Sequence, residues 1–247
     1  MIRIENLCKS FKQQKVLENL NISIYKGKVT VILGMSGIGK SVLLKHMMGL
    51  LKPDKGKIMV DGVDIVPLNE KKLNKIRMKF GMLFQDAALF DYMNVFDNVA
   101  FPLREHTKMT QKQITEKVKE TLHSVGLRGV EEKMPDELSG GMRKRVGLAR
   151  AIISDPEIIL FDEPTTGLDP IISASIEQLI KKIHDERKIT MVIITHEIKL
   201  MKNIADYVGM LHNGRIIEFC PPDMFMKSKN LYVKQFIEGN FKGPIMV

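Results

Sequence analysis

The sequence is poor in cysteine and has no long apolar run. Its two cysteines, Cys8 and Cys220, form no C-x-x-C pair, which excludes a disulfide framework and suits a reducing compartment. No apolar run approaches the roughly 18 residues that span a bilayer, and residues 1–5 lack the apolar core of a signal peptide. We therefore expect a soluble protein of the cytoplasm.

The composition indicates one α/β domain. At 247 residues and 44% hydrophobic content the chain can bury a sizeable core, whereas two complete domains would be cramped. Basic residues number 38 against 29 acidic ones, and the net charge of +9 is compatible with a nucleotide ligand, an anionic membrane surface or nucleic acid. These residues are spread along the chain, with Arg143-Lys144-Arg145 as one short cluster, so a solvated face is their default interpretation.

One glycine-rich segment carries the clearest chemical signal. Residues 34–41 have the pattern G-x-x-x-x-G-K-[ST] and lie between an apolar run, 29–33, and a helical pattern that starts at Val42. Glycines allow a turn whose N–H groups converge at the positive end of the helix dipole, which makes an anion site. Lys40 would reach the terminal phosphates of a nucleoside triphosphate and Ser41 would hold magnesium. A glycine-rich turn with an exposed lysine is the alternative. The predicted nucleotide-binding residues of this segment are Gly34, Met35, Ser36, Gly37, Ile38, Gly39, Lys40, Ser41 and Val42.

Two further candidates stand near predicted strands. Phe11 lies in a predicted polar loop, 9–13, where an exposed ring either stacks on a ligand or packs back on the sheet. The apolar strand 80–84 ends at Gln85. The carboxyl end of a strand in an α/β sheet faces the crevice where ligands usually bind, so Gln85 is a candidate site residue.

Helical signals replace strand signals from residue 86 to about 150. Asn94 can cap one helix, and Thr110 with Gln113 forms a capping box for another, which predicts a helical insertion between strands. The insertion ends at Ser139-Gly140-Gly141, a turn that opens a further helix and directs backbone N–H groups and a hydroxyl at a possible anion. Taken alone, this last signal is weak.

Acids and a histidine follow the later strands. A buried parallel strand, 158–161, ends in Asp162 and Glu163. Beside a phosphate site, Asp162 can hold the hydration shell of magnesium and Glu163 can deprotonate the water that attacks the γ-phosphate; solvated acids at an ordinary strand end are the alternative. Asp169 is a predicted N-cap. His196 ends the next strand and is either a partner of a γ-phosphate oxygen or a satisfied turn residue.

In this order and inside one domain, these motifs resemble those of an ABC transporter ATP-binding subunit. The resemblance covers nearly the whole chain and implies an α/β fold: a RecA-like P-loop core with an N-terminal antiparallel β subdomain and an inserted α-helical subdomain. It implies a single ABC ATPase domain over 1–247. The nucleotide-binding core with the β subdomain would occupy 1–86 and 151–220, the helical signature subdomain 87–150, and a C-terminal extension 221–247.

The resemblance also implies ATP and Mg²⁺ as cofactors and a role for each candidate. Phe11 matches the aromatic residue that stacks on adenine, usually a tyrosine. Glu163 matches the catalytic acid, His196 the γ-phosphate switch, and Gln85 the residue that links the metal site to the partner. The matching metal ligands are Ser41, Gln85 and Asp162.

A second copy of the chain is implied as well. In ABC ATPases the turn matched by Ser139-Gly140-Gly141 closes the nucleotide site of a second chain arranged head to tail, with two nucleotides between the copies. Asp169 would help to couple the two sites. Met142 replaces the usual glutamine, and Met35 stands where a smaller or stiffer residue is usual. Neither departure changes a ligand to metal or phosphate, so we expect altered turnover and not an inactive enzyme.

Within this family the chain is similar to the ATPase of the Mla/Mce phospholipid transporters, in which Met142 is a family trait. The similarity rests on four segments, 34–41, 83–90, 94–105 and 138–145. The tail, 233–245, resembles the C-terminal extension of that family, which reaches across to the other ATPase; a frayed terminal helix is the alternative.

This similarity implies partners and a location. The partners are a permease of the Mla/Mce type, which contacts a groove beside Gln85 and residues 86–104 and makes the chain membrane-associated, a periplasmic Mce lipid-binding protein, and a small cytoplasmic regulatory subunit. The location is the cytoplasmic face of the bacterial inner membrane, as a peripheral protein.

Two rival functions stay open. One is an ABC ATPase that serves an importer of a small polar solute or acts in envelope signalling. The other is a nucleic-acid ATPase of the same fold, which the positive charge weakly favours. The chain has neither the long coiled-coil insertion nor the second ATPase half of such proteins, so we expect no nucleic-acid partner.

Overall fold

The structure is a computed structural model that describes residues 1–246. The chain divides into two compact units, of which the first comprises Met1–Arg77 and Thr190–Val247 and the second Met78–Ile189. The subdomain boundaries expected from the sequence, such as 87–150 for the helical part, stay a prediction.

Strands and helices are numbered in chain order. The first unit begins with β1 Ile2–Phe11, β2 Gln14–Ile24, β3 Val29–Leu33, α1 Lys40–Met47, β4 Lys55–Val60, β5 Val63–Asp64 and α2 Glu70–Arg77. The second unit contains β6 Phe80–Leu83, α3 Val95–His106, α4 Gln111–Ser124, a 3₁₀ turn Pro135–Glu137, α5 Gly140–Ile152, β7 Ile158–Asp162 and α6 Pro170–Arg187. The chain returns to the first unit with β8 Thr190–Thr195, α7 Ile198–Ile204, β9 Tyr207–His212, β10 Arg215–Cys220, α8 Pro222–Phe225 and α9 Leu231–Glu238.

The first unit contains both kinds of strand pairing. β1 pairs with β2 and β4, and β4 with β5, all antiparallel, which confirms the predicted antiparallel sheet. β3 pairs in parallel with β8 and β9, and β10 is antiparallel to β9. Every residue of β3 and β8 is buried, as expected of parallel strands covered on both faces. The α/β class is therefore confirmed.

The tight turns of this unit follow from their sequences. Asp61-Gly62 joins β4 to β5 and Asn213-Gly214 joins β9 to β10, and all four residues have positive φ, the backbone that such hairpin turns need. The expectation of a polar loop at 9–13 was wrong. β1 runs on to Phe11, which pairs with Gln14 of β2, because Lys12 takes a φ of 54° and closes the hairpin.

The C-terminal segment folds onto α9. Gln235 is buried, its amide nitrogen donates to the carbonyl oxygens of Asn240 and Ile245, both at 3.1 Å, and its amide oxygen accepts the Ile245 N–H at 2.7 Å. The terminal helix is therefore held in place and not frayed. The reach of the tail across a dimer stays a prediction.

In the second unit β6 and β7 pair in parallel, and the remaining elements are helical. The Asn94 side chain accepts the N–H of Asp97 at 2.8 Å, and Thr110 with Gln113 forms both halves of the capping box; both caps were predicted. The apolar face of α4 is buried, and it consists of Ile114, Val118 and Leu122; Val125, directly after the helix, is buried as well. In residues 1–246 none of the helices combines the length and the apolar character needed to cross a membrane.

His46 is a buried titratable group in α1. Its Nδ1 lies 2.7 Å from the Val42 carbonyl oxygen, and because a carbonyl can only accept, Nδ1 donates. Nε2 is buried without a hydrogen-bond partner among the described residues. Burial lowers the pKa of His46, the charge of Lys9 acts in the same direction, and the hydrogen bond to Val42 opposes them. The folded protein therefore favours a neutral imidazole here.

His46→Asn should make the fold less sensitive to acid. The pKa of His46 in the folded chain lies below its unfolded value of about 6.5. Its contribution to stability is therefore present above that pH and is lost as the pH falls toward the lower folded pKa. Wild type should lose more thermal stability than the variant between about pH 7.5 and about pH 5.5, as measured by calorimetry. The exposed residue His106 provides the control: His106→Asn should keep the wild-type dependence, and equal slopes in all three proteins would contradict this account.

Candidate nucleotide-binding and catalytic site

The glycine-rich turn joins the buried strand β3 to helix α1. Gly39, just before the helix, has a φ of 104°, which glycine adopts without strain. A Cβ at this position would lie 2.7 Å from Cγ1 of Val16, so the turn requires glycine here. Gly39 also has no side chain that could cap α1, and the first N–H groups of a helix started in this way suit an anion.

Lys40 is almost fully buried, with 5% of its surface exposed. Its ammonium donates to the carbonyl oxygens of Gly34 at 2.8 Å and Met35 at 2.9 Å. Burial of an ammonium is costly unless hydrogen bonds replace its hydration, and the turn supplies them. Ser41 and Val42, next along the chain, are half-buried in the first turn of α1. The exposed lysine considered from the sequence is thus excluded.

The other candidates of the first unit lie at strand ends. Leu33 of β3 pairs with Thr195 of β8, so the glycine-rich turn and His196 leave the sheet at the same edge, and His196 is exposed. Phe11 ends β1 with 44% of its surface exposed, and Nζ of Lys9 lies 5.6 Å from its ring centroid. Nearly half of the Phe11 side chain is therefore accessible, and its stacking on a ligand stays a prediction.

Asp162 and Glu163 lie at the end of β7 in the second unit. Because β6 and β7 run in parallel, the acids and Gln85 follow adjacent strand ends. Both acids are only 8% exposed, which excludes solvated acids at an ordinary strand end. Glu163 has a φ of 47°, and its Oε2 accepts a hydrogen bond from the Thr166 hydroxyl at 3.2 Å. The backbone and the carboxylate of Glu163 are thus both constrained.

Two helices of the second unit start at candidate residues. Ser139 is the N-cap of α5 and its hydroxyl accepts a hydrogen bond from within that helix, whose first turn contains Gly140-Gly141. Asp169 caps α6 by accepting the N–H groups of Ile171 at 2.9 Å and Ile172 at 3.0 Å. Both capping residues are exposed, so these helix starts are accessible from outside the chain.

The basic cluster 143–145 is only in part the solvated face that the sequence suggested, because Arg143 is exposed whereas Lys144 is buried. Lys144 is 5% exposed, and its Nζ donates to the carbonyl oxygen of Gln85 and, at 3.2 Å, to that of Glu163. The two arginines of the cluster likewise donate to backbone carbonyl oxygens. The physical reason is that α5 packs against loops whose backbone carbonyl groups accept hydrogen bonds from these side chains. The residue types of a cluster do not show which groups will surround it in the folded chain.

A second polar cluster was missed by sequence reasoning. Asn98 is fully buried in α3, where it accepts the N–H of Phe90 at 2.8 Å and donates to the Phe90 carbonyl oxygen at 3.1 Å. Arg150 donates to the Ala87 carbonyl oxygen at 2.6 Å, and burial lowers the pKa of its guanidinium. Together they brace the loop that follows Gln85. The only sequence signal for this cluster was a polar residue, Asn98, among the apolar positions of the helix that Asn94 was predicted to cap.

Comparison with known proteins decides the family. Residues 17–166 match the family described as ABC transporter, which is more than half of the chain. The chain belongs to the ABC transporter family. It is an ATP-binding and ATP-hydrolysing subunit of a membrane transporter, as the sequence predicted.

Relatives match over most of this ABC ATPase. The "Probable ribonucleotide transport ATP-binding protein mkl" of Mycobacterium tuberculosis is 48% identical over 244 residues, 99% of this chain and 68% of the relative. The "Intermembrane phospholipid transport system ATP-binding protein MlaF" is 42% identical in Haemophilus influenzae, over 99% of this chain and 93% of the relative. In Escherichia coli it is 40% identical, over 93% and 86% respectively. The predicted similarity to this ATPase is confirmed.

Solved structures confirm the ABC ATPase fold. A dimeric, post-hydrolysis structure of the ATP-binding cassette MJ0796 bound to ADP and Pi has a TM-score of 0.84 and 31% identity, and covers 90% of this chain and 99% of that chain. The structure of cbiO1 from Clostridium perfringens, part of the ABC transporter complex cbiONQ, has a TM-score of 0.83 and 31% identity, over 96% and 94%.

Asn98→Leu should destabilise the ABC ATPase by roughly 2–4 kcal/mol, because it removes several hydrogen bonds to the backbone and leaves groups without partners. Urea unfolding measures the change. Gln111→Leu, at an exposed position of α4, is the control and should shift stability by no more than about 0.5 kcal/mol. Equal effects of the two substitutions would show that Asn98 does not brace the loop.

Proposed function

We propose that this ABC ATPase powers a phospholipid transporter of the Mla/Mce type, and that two copies close head to tail around two Mg-ATP to drive a partner permease. One observation carries the proposal: the buried Lys40 ammonium at a glycine-capped helix start, after a buried strand. Every later step requires this turn to bind the triphosphate.

The first unit would hold most of the nucleotide. The N–H groups of the turn 34–41 and the Lys40 ammonium would bind the phosphates, and charge-assisted bonds to phosphate oxygens would replace the bonds of Lys40 to neutral carbonyls. The exposed Phe11 ring offers a face for adenine. His196, exposed after β8, would hydrogen-bond a γ-phosphate oxygen.

The residues present fit magnesium. Ser41, Gln85 and Asp162 would contribute hydroxyl, amide and carboxylate oxygens, the hard donors that the ion prefers, beside substrate phosphates and water. When bound, the ion neutralises charge on the phosphates. In residues 1–246 no group of three or more His, Cys, Asp and Glu side chains is placed to hold a metal by itself.

Glu163 is the proposed general base. Its carboxylate would accept a proton from the water whose oxygen attacks the γ-phosphorus. The bond from that phosphorus to the bridging oxygen breaks with its electron pair left on ADP, and inorganic phosphate is the other product. The hydrogen bond from Thr166 and the left-handed backbone of Glu163 restrict the side chain, and a fixed direction favours the reaction.

Dimer closure would use the second unit. Ser139-Gly140-Gly141 starts α5 at an accessible position, and this turn would bind the nucleotide held by the other copy, with Asp169 coupling the two sites. The dimeric MJ0796 cassettes support a dimer of two copies. Because each triphosphate would contact both copies, binding favours the closed state and hydrolysis removes that preference.

The proposed partners are a permease, a periplasmic Mce lipid-binding protein and a small regulatory subunit. The permease would contact the loop after Gln85, where Tyr92 is 76% exposed and packs against Phe90 with ring centroids 5.8 Å apart. The ATPase would then lie at the cytoplasmic face of the inner membrane, held there by the permease.

The mkl and MlaF relatives differ in the cargo that their names state. The printed names give ribonucleotide for mkl and phospholipid for MlaF. We favour phospholipid because the chain spans 93% of the MlaF of Haemophilus influenzae and 68% of mkl. A small polar solute such as a ribonucleotide is the competing cargo.

Glu163→Gln should reduce ATP hydrolysis by roughly 10²- to 10⁴-fold, because the amide cannot accept the proton of the attacking water. ATP binding should persist, and closed dimers should accumulate with ATP. Phosphate release, calorimetric ATP titration and size-exclusion chromatography measure the three effects. Glu120→Gln, at an exposed position of α4, is the matched control, and normal turnover in Glu163→Gln would remove Glu163 from this role.

Purification of the ATPase with its native permease should recover bound phospholipid and an Mce protein. Mass spectrometry of the complex identifies both. A preparation of the same membrane from which the ATPase has been deleted gives the background. Recovery of ribonucleotide, with phospholipid at background, would favour the polar-solute alternative.

A further inference from the structure

Lys144 connects the two loops that carry the proposed metal-linking residue and the proposed general base. It lies in the second turn of α5, buried, and its Nζ donates to the carbonyl oxygens of Gln85 and Glu163, the latter at 3.2 Å. All three residues belong to the second unit. One ammonium therefore holds two segments that follow adjacent strand ends.

Stability alone does not account for a lysine at this position. Removing an ammonium from water is expensive, and an apolar side chain of similar volume is often as stabilising in such a place. The Glu163 carbonyl that Lys144 binds belongs to a residue with a φ of 47°. That backbone costs about 1–3 kcal/mol outside glycine and persists where the surroundings hold it. The lysine is one of the groups that hold it.

Helix α5 holds the same loop at a second point. Arg150 donates to the Ala87 carbonyl oxygen at 2.6 Å, and Ala87 also has a left-handed backbone, with a φ of 60°. Between the two cations, a Cβ at Gly147 would come within 2.9 Å of the Ala87 Cβ, so glycine permits the close approach. Helix α5 is thus hydrogen-bonded to the loop after β6 at two points, through Lys144 and through Arg150.

We propose that Lys144 is a positioning residue for ATP hydrolysis, which holds the Gln85 and Glu163 loops in the arrangement that the chemical step needs. The inference rests on the proposed function, because it acts through those two residues. Helix α5 begins beside Ser139, the residue proposed to bind the nucleotide of the other copy. Closure at Ser139 would therefore act through one rigid helix on the general base of the same chain.

The test uses Lys144→Met in the full chain assembled with its permease. Methionine keeps the approximate size of the side chain and removes the charged donor. We expect kcat to fall roughly 10- to 100-fold, as for a displaced catalytic group, while KM for ATP keeps its wild-type value. The thermal midpoint should fall moderately, because two backbone carbonyl groups lose a donor. Lys144→Arg restores a cationic donor and should recover part of kcat. Lys182→Met, the control, removes an exposed lysine of α6 and should change nothing.

Wild-type kcat in Lys144→Met would overturn the inference. Parallel losses of kcat, ATP affinity and thermal stability without recovery in Lys144→Arg would also overturn it, since a purely structural lysine gives that pattern. Should the methionine variant not fold, Lys144→Gln, which keeps one neutral donor, is judged by the same criteria. If Glu163→Gln is inactive and Lys144→Met is normal, this inference alone fails; if Glu163→Gln turns over, the proposed function fails with it.

Discussion

The parallel pairing of buried strands is the constraint on which the site depends. In the first unit β3 and β8 end in step, so the glycine-rich turn and His196 leave one edge of the sheet together. In the second unit β6 and β7 do the same for Gln85 and the two acids. A slip of one residue would turn every side chain to the opposite face. Apolar burial therefore fixes the register, and the register places the polar residues that follow the strands.

Cations bonded to backbone carbonyl oxygens are the second recurring feature. Lys40 binds two carbonyls of its own turn, Lys144 binds those of two loops, and Arg150 binds that of Ala87. Carbonyl groups are dipoles at fixed points of the chain, so each bond ties a long side chain to a definite place. Such burial is tolerated because hydrogen bonds replace the lost hydration. The free-energy cost of removing these cations from water is offset by their hydrogen bonds, which hold the loops around the proposed base in one conformation.

Three residues with a left-handed backbone lie in the loops that follow β6 and β7. Ala87, Ala88 and Glu163 all have φ between +47° and +60°, a region that non-glycine residues seldom adopt. Such conformations persist where the surroundings fix them, and they occur often at functional sites. The hydrogen bonds of Lys144 and Thr166 act on Glu163, and that of Arg150 acts on Ala87. The strained backbone and the hydrogen bonds that maintain it therefore occur at the same residues.

The sequence by itself determined the local structure and the family. Glycines before Lys40, the cap Asn94 and the capping box of Thr110 with Gln113 act over a few residues, so their patterns can be read directly. Tertiary structure alone decided the burial of Lys144 and the role of Asn98. Lys144 reaches a carbonyl 59 residues away in the chain, and such a contact exists only after strands and helices have packed. A local sequence pattern reflects only residues that are close in the chain, whereas the desolvation of a charged side chain depends on distant segments that folding brings together.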